Sequence, residues 1–131
     1  MHLCRGNYKS TFMGTGGYEA EQEVLFDKIK VHGYFMEYDT ERAGGFEPLK
    51  RLPKGRLAVL GLVTSKSGTL ESKDAIRRRI EQAAKFIELD QLCLSPQCGF
   101  ASTEEGNILA EAEEWAKLRM IVEVAEEVWG R

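Results

Sequence analysis

Leu57-Ala58-Val59-Leu60-Gly61-Leu62-Val63 is an unbroken apolar run, and its lack of alternation decides the fold. A strand with one wet face alternates polar and apolar residues, whereas a strand buried on both faces does not. Burial on both sides is the habit of parallel sheets, whose crossover helices cover the faces. The run therefore predicts a parallel strand inside an α/β domain.

Working outward, Val31 to Met36 reads as the preceding strand, with Glu37-Tyr38-Asp39 at its carboxyl end. The segment Thr40 to Lys54 is loop, punctuated by glycine and proline and anchored by Phe46 and Leu49. On the other side, Ser72 or Asp74 caps a helix to about Leu89. Ile76, Ile80, Ala83, Ala84 and Ile87 recur there at helical spacing, and Arg77, Arg78, Arg79 and Glu81 form a solvated face. Gln91 to Ser95 is the next strand. The last helix runs from about Glu104 to Trp129, with Ile108, Ala112, Trp115, Leu118, Val122 and Val128 among its core positions. At the amino end, Met1 to Arg5 reads as a strand, Gly6 and Asn7 as a turn, and Gly14, Gly16 and Gly17 as a glycine-rich loop. A helix over Tyr18 to Lys28 follows, turning Ala20, Val24 and Leu25 inward.

Strands alternating with helices imply right-handed crossovers and a parallel sheet. Four such units in 131 residues are about half of the ~250 residues of an eight-unit barrel. An open doubly wound sheet is the competitor, but it usually starts on a clean strand and a glycine-rich phosphate turn. Thr15-Gly16-Gly17 lacks the GK[ST] ending of a phosphate loop and any strand leading directly into it. Met1 to Arg5 begins as a strand already in progress, as expected of the second part of something larger.

Composition narrows the function classes. A formal net charge of -3 without a basic stripe gives no support to nucleic-acid binding. The longest apolar run is far short of the about 20 residues that a membrane helix needs. Three cysteines without a clustered framework argue against a disulfide scaffold. A cytoplasmic protein is expected, because the polar stretch Cys4 to Ser10 replaces the apolar core of a secretory signal.

The reactive residues fall at strand ends. In Leu94-Ser95-Pro96-Gln97-Cys98-Gly99-Phe100, Pro96 cannot donate to a sheet and Gly99 tolerates unusual angles, which predicts Cys98 on a sharp exposed bend. His2 and Cys4 are two apart on a strand and project to one face. Glu37 ends its strand. In a parallel barrel these carboxyl ends meet at one rim, where such folds build their active sites. One imidazole, one carboxylate and two thiolates make a tetrahedral zinc set. The alternative is bland: a chance H-x-C, a surface Glu37 and a Cys98 buried as a small hydrophobe. Cys93 reads as a packing cysteine, and His32 lies at the opposite rim.

His2-Leu3-Cys4, Glu37 and Ser95-Pro96-Gln97-Cys98-Gly99-Phe100 resemble the zinc-binding pattern of cobalamin-independent methionine synthases. Glu37 to Gly44, Phe46-Glu47-Pro48-Leu49 and Leu60-Gly61-Leu62-Val63 resemble the short single-barrel relatives of that family. The resemblance implies strands five to eight of a (βα)8 barrel, as one domain over residues 1–131. It implies zinc held by His2, Cys4, Glu37 and Cys98, and methyl transfer from 5-methyltetrahydrofolate to a thiol such as homocysteine. Coenzyme M is an alternative thiol, and a non-catalytic half-barrel remnant an alternative role. Lys66 stands where the synthases carry a histidine associated with proton movement, which makes it the candidate catalytic residue. Substrate-binding residues are expected upstream of the H-x-C. Half a barrel implies self-association or a separate first half.

Overall fold

The computed structural model describes every residue except 4–6, 9–10, 13–16, 41–42, 102–103, 105 and 131, and only the backbone at 7–8 and 11–12. The described residues form the strands β1 (His2–Leu3), β2 (Asn7–Tyr8), β3 (Thr11–Phe12), β4 (Gly33–Glu37), β5 (Leu57–Val63) and β6 (Leu92–Pro96). Two α-helices follow the last long strands, α1 (Lys73–Ala83) and α2 (Glu111–Trp129). β1, β4, β5 and β6 form one sheet in that order, parallel throughout. β2 and β3 make a small antiparallel hairpin where the sequence predicts a turn at Gly6 and Asn7. The expected parallel βα architecture is present, and β5 occupies the quoted run end to end.

Register assigns the faces. His2, Phe35, Val59 and Cys93 lie side by side, and so do Leu3, Met36, Leu60 and Leu94. The second row, with Tyr34, Ala58 and Leu92, packs in one core with Ile76, Ile80 and Ala83 of α1 and Met120, Ile121 and Val124 of α2. Each large aliphatic side chain buried there contributes about 1.5–3 kcal/mol. Among the described residues no helix packs on the first row. Phe35 is 47% exposed and Leu57 40% exposed, but Ala58 to Val63 of β5 are buried on both faces, as the unbroken run predicts.

Element ends depart from the pattern for local reasons. Ser72, not Asp74, caps α1, its Oγ accepting from the Ala75 amide at 3.2 Å. α1 ends at Ala83 rather than Leu89, where a short 3-10 turn (Leu89–Gln91) leads into β6. The Tyr18–Lys28 segment is helical only at its end, as a π-turn over Val24–Lys28, and buries Leu25 and Phe26 while Ala20 and Val24 face solvent. α2 starts at Glu111, after Gly106 with φ 76°, a left-handed conformation that glycine adopts readily. Its inward face is Lys117, Met120, Ile121 and Val124. Ile108, Ala112, Trp115 and Val122, expected in the core, are exposed. Apolar residues surround this helix on two sides, and periodicity selected the wrong stripe. Arg79 is not simply solvated: it donates to the Tyr38 carbonyl at 3.0 Å and lies 5.0 Å over the Phe46 ring.

Candidate active site

The carboxyl ends of β1, β4 and β6 converge on one small cavity. Its lining includes His2, Phe35, Glu37, Gln97 and Cys98. About 20 Å³ of space admits one ion or one water and no amino acid. Three of the four candidate ligands, His2, Glu37 and Cys98, thus border the same cavity, and Cys4 lies outside the described residues. Among the described residues no three His, Cys, Asp or Glu side chains stand close enough to share a metal ion. The donors themselves suit zinc: an imidazole, a carboxylate and a sulfur.

Cys98 does not sit on an exposed bend. It is 7% exposed because the chain after β6 folds back over the sheet, the Gln97 amide donating to the Val63 carbonyl at 2.8 Å. Gly61 makes that return possible. A Cβ there would lie 2.9 Å from the Met36 carbonyl oxygen and 3.2 Å from Gln97 Cα. Both are backbone atoms and cannot step aside cheaply. Gly61→Ala is therefore expected to cost about 1–3 kcal/mol and to lift the Gln97–Cys98 loop. Urea unfolding together with mass-mapped thiol labelling checks this. Unchanged stability with Cys98 still protected would refute it.

Glu37 is buried rather than on the surface. Tyr18 organises its backbone: the Glu37 amide donates to Tyr18 Oη at 2.6 Å, and that hydroxyl lies 3.5 Å from the Leu3 carbonyl. One phenol thereby ties the end of β1 to the end of β4. The Glu37 carboxylate faces a buried cation, Lys66 Nζ lying 3.8 Å from Oε1 and 3.6 Å from Asp39 Oδ2. Lys66 also donates to Gln97 Oε1, as does Ser65 Oγ at 3.4 Å. An ammonium can only donate, so the amide oxygen of Gln97 must face it. The amide nitrogen is then turned to Cys98, whose Sγ accepts at 3.6 Å. Lys66, Gln97 and Cys98 form one chain of contacts.

The loop bearing Lys66 is clamped from outside. Glu71 Oε2 accepts from the Thr64 amide at 3.0 Å, and Asn107 donates to the Ser65 carbonyl at 2.7 Å. Glu71 is held in turn by Lys117 of α2, which is fully buried and also donates to the Thr69 carbonyl at 2.7 Å. Sequence reading missed Tyr18, Gln97 and Lys117 as site residues. Only Gln97 had a local signal, its place beside Cys98. Cys93 lies half-buried on the uncovered face, and His32 is exposed at the opposite end of β4.

Comparison with known proteins decides the family. The model of the cobalamin-independent synthase catalytic domain matches residues 26–127. The chain belongs to the cobalamin-independent methionine synthase family. The match takes in Glu37, Lys66 and Cys98 and stops short of His2. The chain is 58% identical over 130 residues to the uncharacterised protein YxjG of Bacillus subtilis strain 168, covering 98% of itself and 34% of that protein. It is 26% identical over 99 residues to the methionine synthase of Pyrococcus abyssi, covering 76% of itself and 26% of that protein. Among solved structures, a Listeria monocytogenes protein provisionally assigned as a vitamin-B12-independent methionine synthase superposes with a TM-score of 0.73 at 39% identity, over 100% of this chain and 35% of that one. A B12-independent methionine synthase from Shewanella shares the fold, with a TM-score of 0.74 at 20% identity over 98% of this chain and 38% of that one. The chain thus spans about a third of the length of these relatives, and its fold class is that of the family's TIM barrel. Among the described residues no helix is long and apolar enough to cross a membrane.

Proposed function

We propose that this member of the methionine synthase family contributes the metal-binding rim of a zinc-dependent thiol methyltransferase. The supporting observation is the convergence of His2, Glu37 and Cys98 on one cavity at the carboxyl ends of parallel strands. His2, Cys4, Glu37 and Cys98 are the zinc ligands in this reading. Bound zinc supplies a Lewis acid that keeps a substrate thiol deprotonated near neutral pH.

The acceptor is homocysteine and the donor a 5-methyltetrahydrofolate. A sulfur–carbon bond forms as the nitrogen–methyl bond breaks, and a proton goes to the departing pterin nitrogen. Lys66 Nζ is the carrier for that proton, with Glu37 and Asp39 as its local counter-ions. The Gln97 amide orients the Cys98 sulfur by hydrogen bonding. The cavity is too small for homocysteine, so substrate approaches from the uncovered face, and its amino-acid and pterin parts are held by barrel residues beyond this chain. These residues act as strands five to eight of the barrel, in the cytoplasm, with no nucleic-acid or membrane partner.

Zinc content tests the proposal. The purified chain is expected to hold about one zinc per site, and Cys98→Ser to reduce affinity by about 10–100-fold or more. Stoichiometric zinc unaffected by Cys98→Ser would sink this ligand set. Thiol-dependent proton release separates homocysteine from coenzyme M as acceptor, and its absence with both favours a non-catalytic remnant.

A further inference from the structure

Lys66 Nζ stands between two carboxylates, 3.8 Å from Glu37 Oε1 and 3.6 Å from Asp39 Oδ2. Both separations exceed the about 2.7–2.9 Å of a charge-assisted hydrogen bond. The two acids differ in their surroundings. Glu37 lines the cavity with His2 and Cys98. Asp39 is paired with Lys66 alone among the described residues, and neither of its oxygens accepts a hydrogen bond there. A buried carboxylate without a donor is costly, and a native fold that keeps one calls for an explanation. The side chains of Asp39, Glu37 and Lys66 are 0%, 2% and 4% exposed. This chain therefore encloses the cluster by itself, and the arrangement does not depend on residues elsewhere in a longer protein.

We infer that Asp39 is a positioning residue that draws Lys66 away from Glu37 and so leaves the Glu37 carboxylate for the metal. This rests on the reading of Glu37 as a zinc ligand. An ammonium has three donors. Lys66 gives one to Gln97 Oε1 and has Glu37 and Asp39 within ion-pair reach. A carboxylate bound to a dication is a poorer partner for a second cation, which the metal repels. Lys66 then needs another acid, because an unpaired buried ammonium is costly. Asp39 has open acceptor sites and no other described cation to satisfy. The backbone around Lys66 is held, its amide donating to Thr64 Oγ1 at 3.1 Å and the Thr64 amide to Glu71. The exchange between acids therefore falls to the flexible four-carbon stem of Lys66. Without Asp39, the buried ammonium competes with the metal for Glu37.

Zinc affinity of the purified chain, read by competition with a chromophoric chelator, tests the inference. Asp39→Asn is expected to weaken zinc binding by about 10–100-fold, the range for residues that support a ligand, with unchanged far-UV circular dichroism. In a Lys66→Met background the same substitution is expected to have little effect, because the competing ammonium is gone. An equal loss in both backgrounds overturns the inference, since Asp39 would then act on the metal by its own charge. Unchanged affinity in Asp39→Asn overturns it too. A crystal structure of the unsubstituted, zinc-loaded chain gives a check that needs no variant to fold. Lys66 Nζ is expected to hydrogen-bond Asp39 there, and an ammonium still nearer Glu37 than Asp39 refutes the inference. Glu37→Gln separates the two readings. If it weakens zinc binding while Asp39→Asn does not, the inference alone falls, and if it leaves zinc binding unchanged, the ligand reading falls with it.

Discussion

Lys66→Met is expected to cost about 3–5 kcal/mol of folding free energy, the usual penalty for removing one partner from a buried ionic cluster. Its side chain is 4% exposed, those of Glu37 and Asp39 2% and 0%. The Asp39 carboxylate oxygens have no hydrogen-bond donor among the described residues, so Lys66 is the described group that balances them. Removing it takes a buried cation away from two buried carboxylates, which costs free energy even where other contacts remain. A domain of this size is stable by roughly 5–15 kcal/mol, so the variant stands near the edge of folding. Urea unfolding reads the loss directly. Adding Glu37→Gln to Lys66→Met removes one of the two buried negative charges and is expected to recover part of the stability. A loss below about 1 kcal/mol would show that the cluster is hydrated.

Lys117→Met is the second large effect, about 3 kcal/mol, at the lower end of the buried-pair range because Glu71 retains some access to solvent. Lys117 is fully buried on the inward face of α2 and Glu71 is 22% exposed. The substitution conserves the length of the side chain, so packing against Met120 and Ile121 changes little. What it removes is the cation that pins Glu71, and through Glu71 the Thr64 amide at the start of the Lys66 loop. The variant should therefore lose stability and also loosen the loop. Hydrogen exchange at Thr64 is expected to accelerate by more than exchange in the centre of β5. Uniform acceleration across the domain would show that Lys117 acts on global stability alone, with no special hold on the site.

Both lysines show where sequence reading stops. Lys66 attracted notice as a departure from the family pattern, yet no local feature revealed that it is buried. Nothing in the sequence marks Lys117 at all. Each is buried because carboxylates from other segments come to meet it, Glu37 and Asp39 from the end of β4 in one case and Glu71 from the loop before α1 in the other. Pairing over 46 positions of chain leaves no periodic trace. For the same reason α2 was phased onto Trp115 and Val122, since counting apolar residues excludes a buried cation from the core in advance.

The amino-acid sequence by itself determined the four parallel strands, the two long helices after them and the position of β5, because backbone preference and hydrophobic period are local properties. It also singled out Glu37 and Cys98, which strand ends and a proline-glycine loop mark on their own. Only the tertiary structure decided that Cys98 turns inward over Gly61, that Tyr18 ties β1 to β4, and that Lys66 and Lys117 are buried against carboxylates from other segments. Those outcomes rest on contacts between distant segments, whose energies depend on topology and on which charges are brought together out of water.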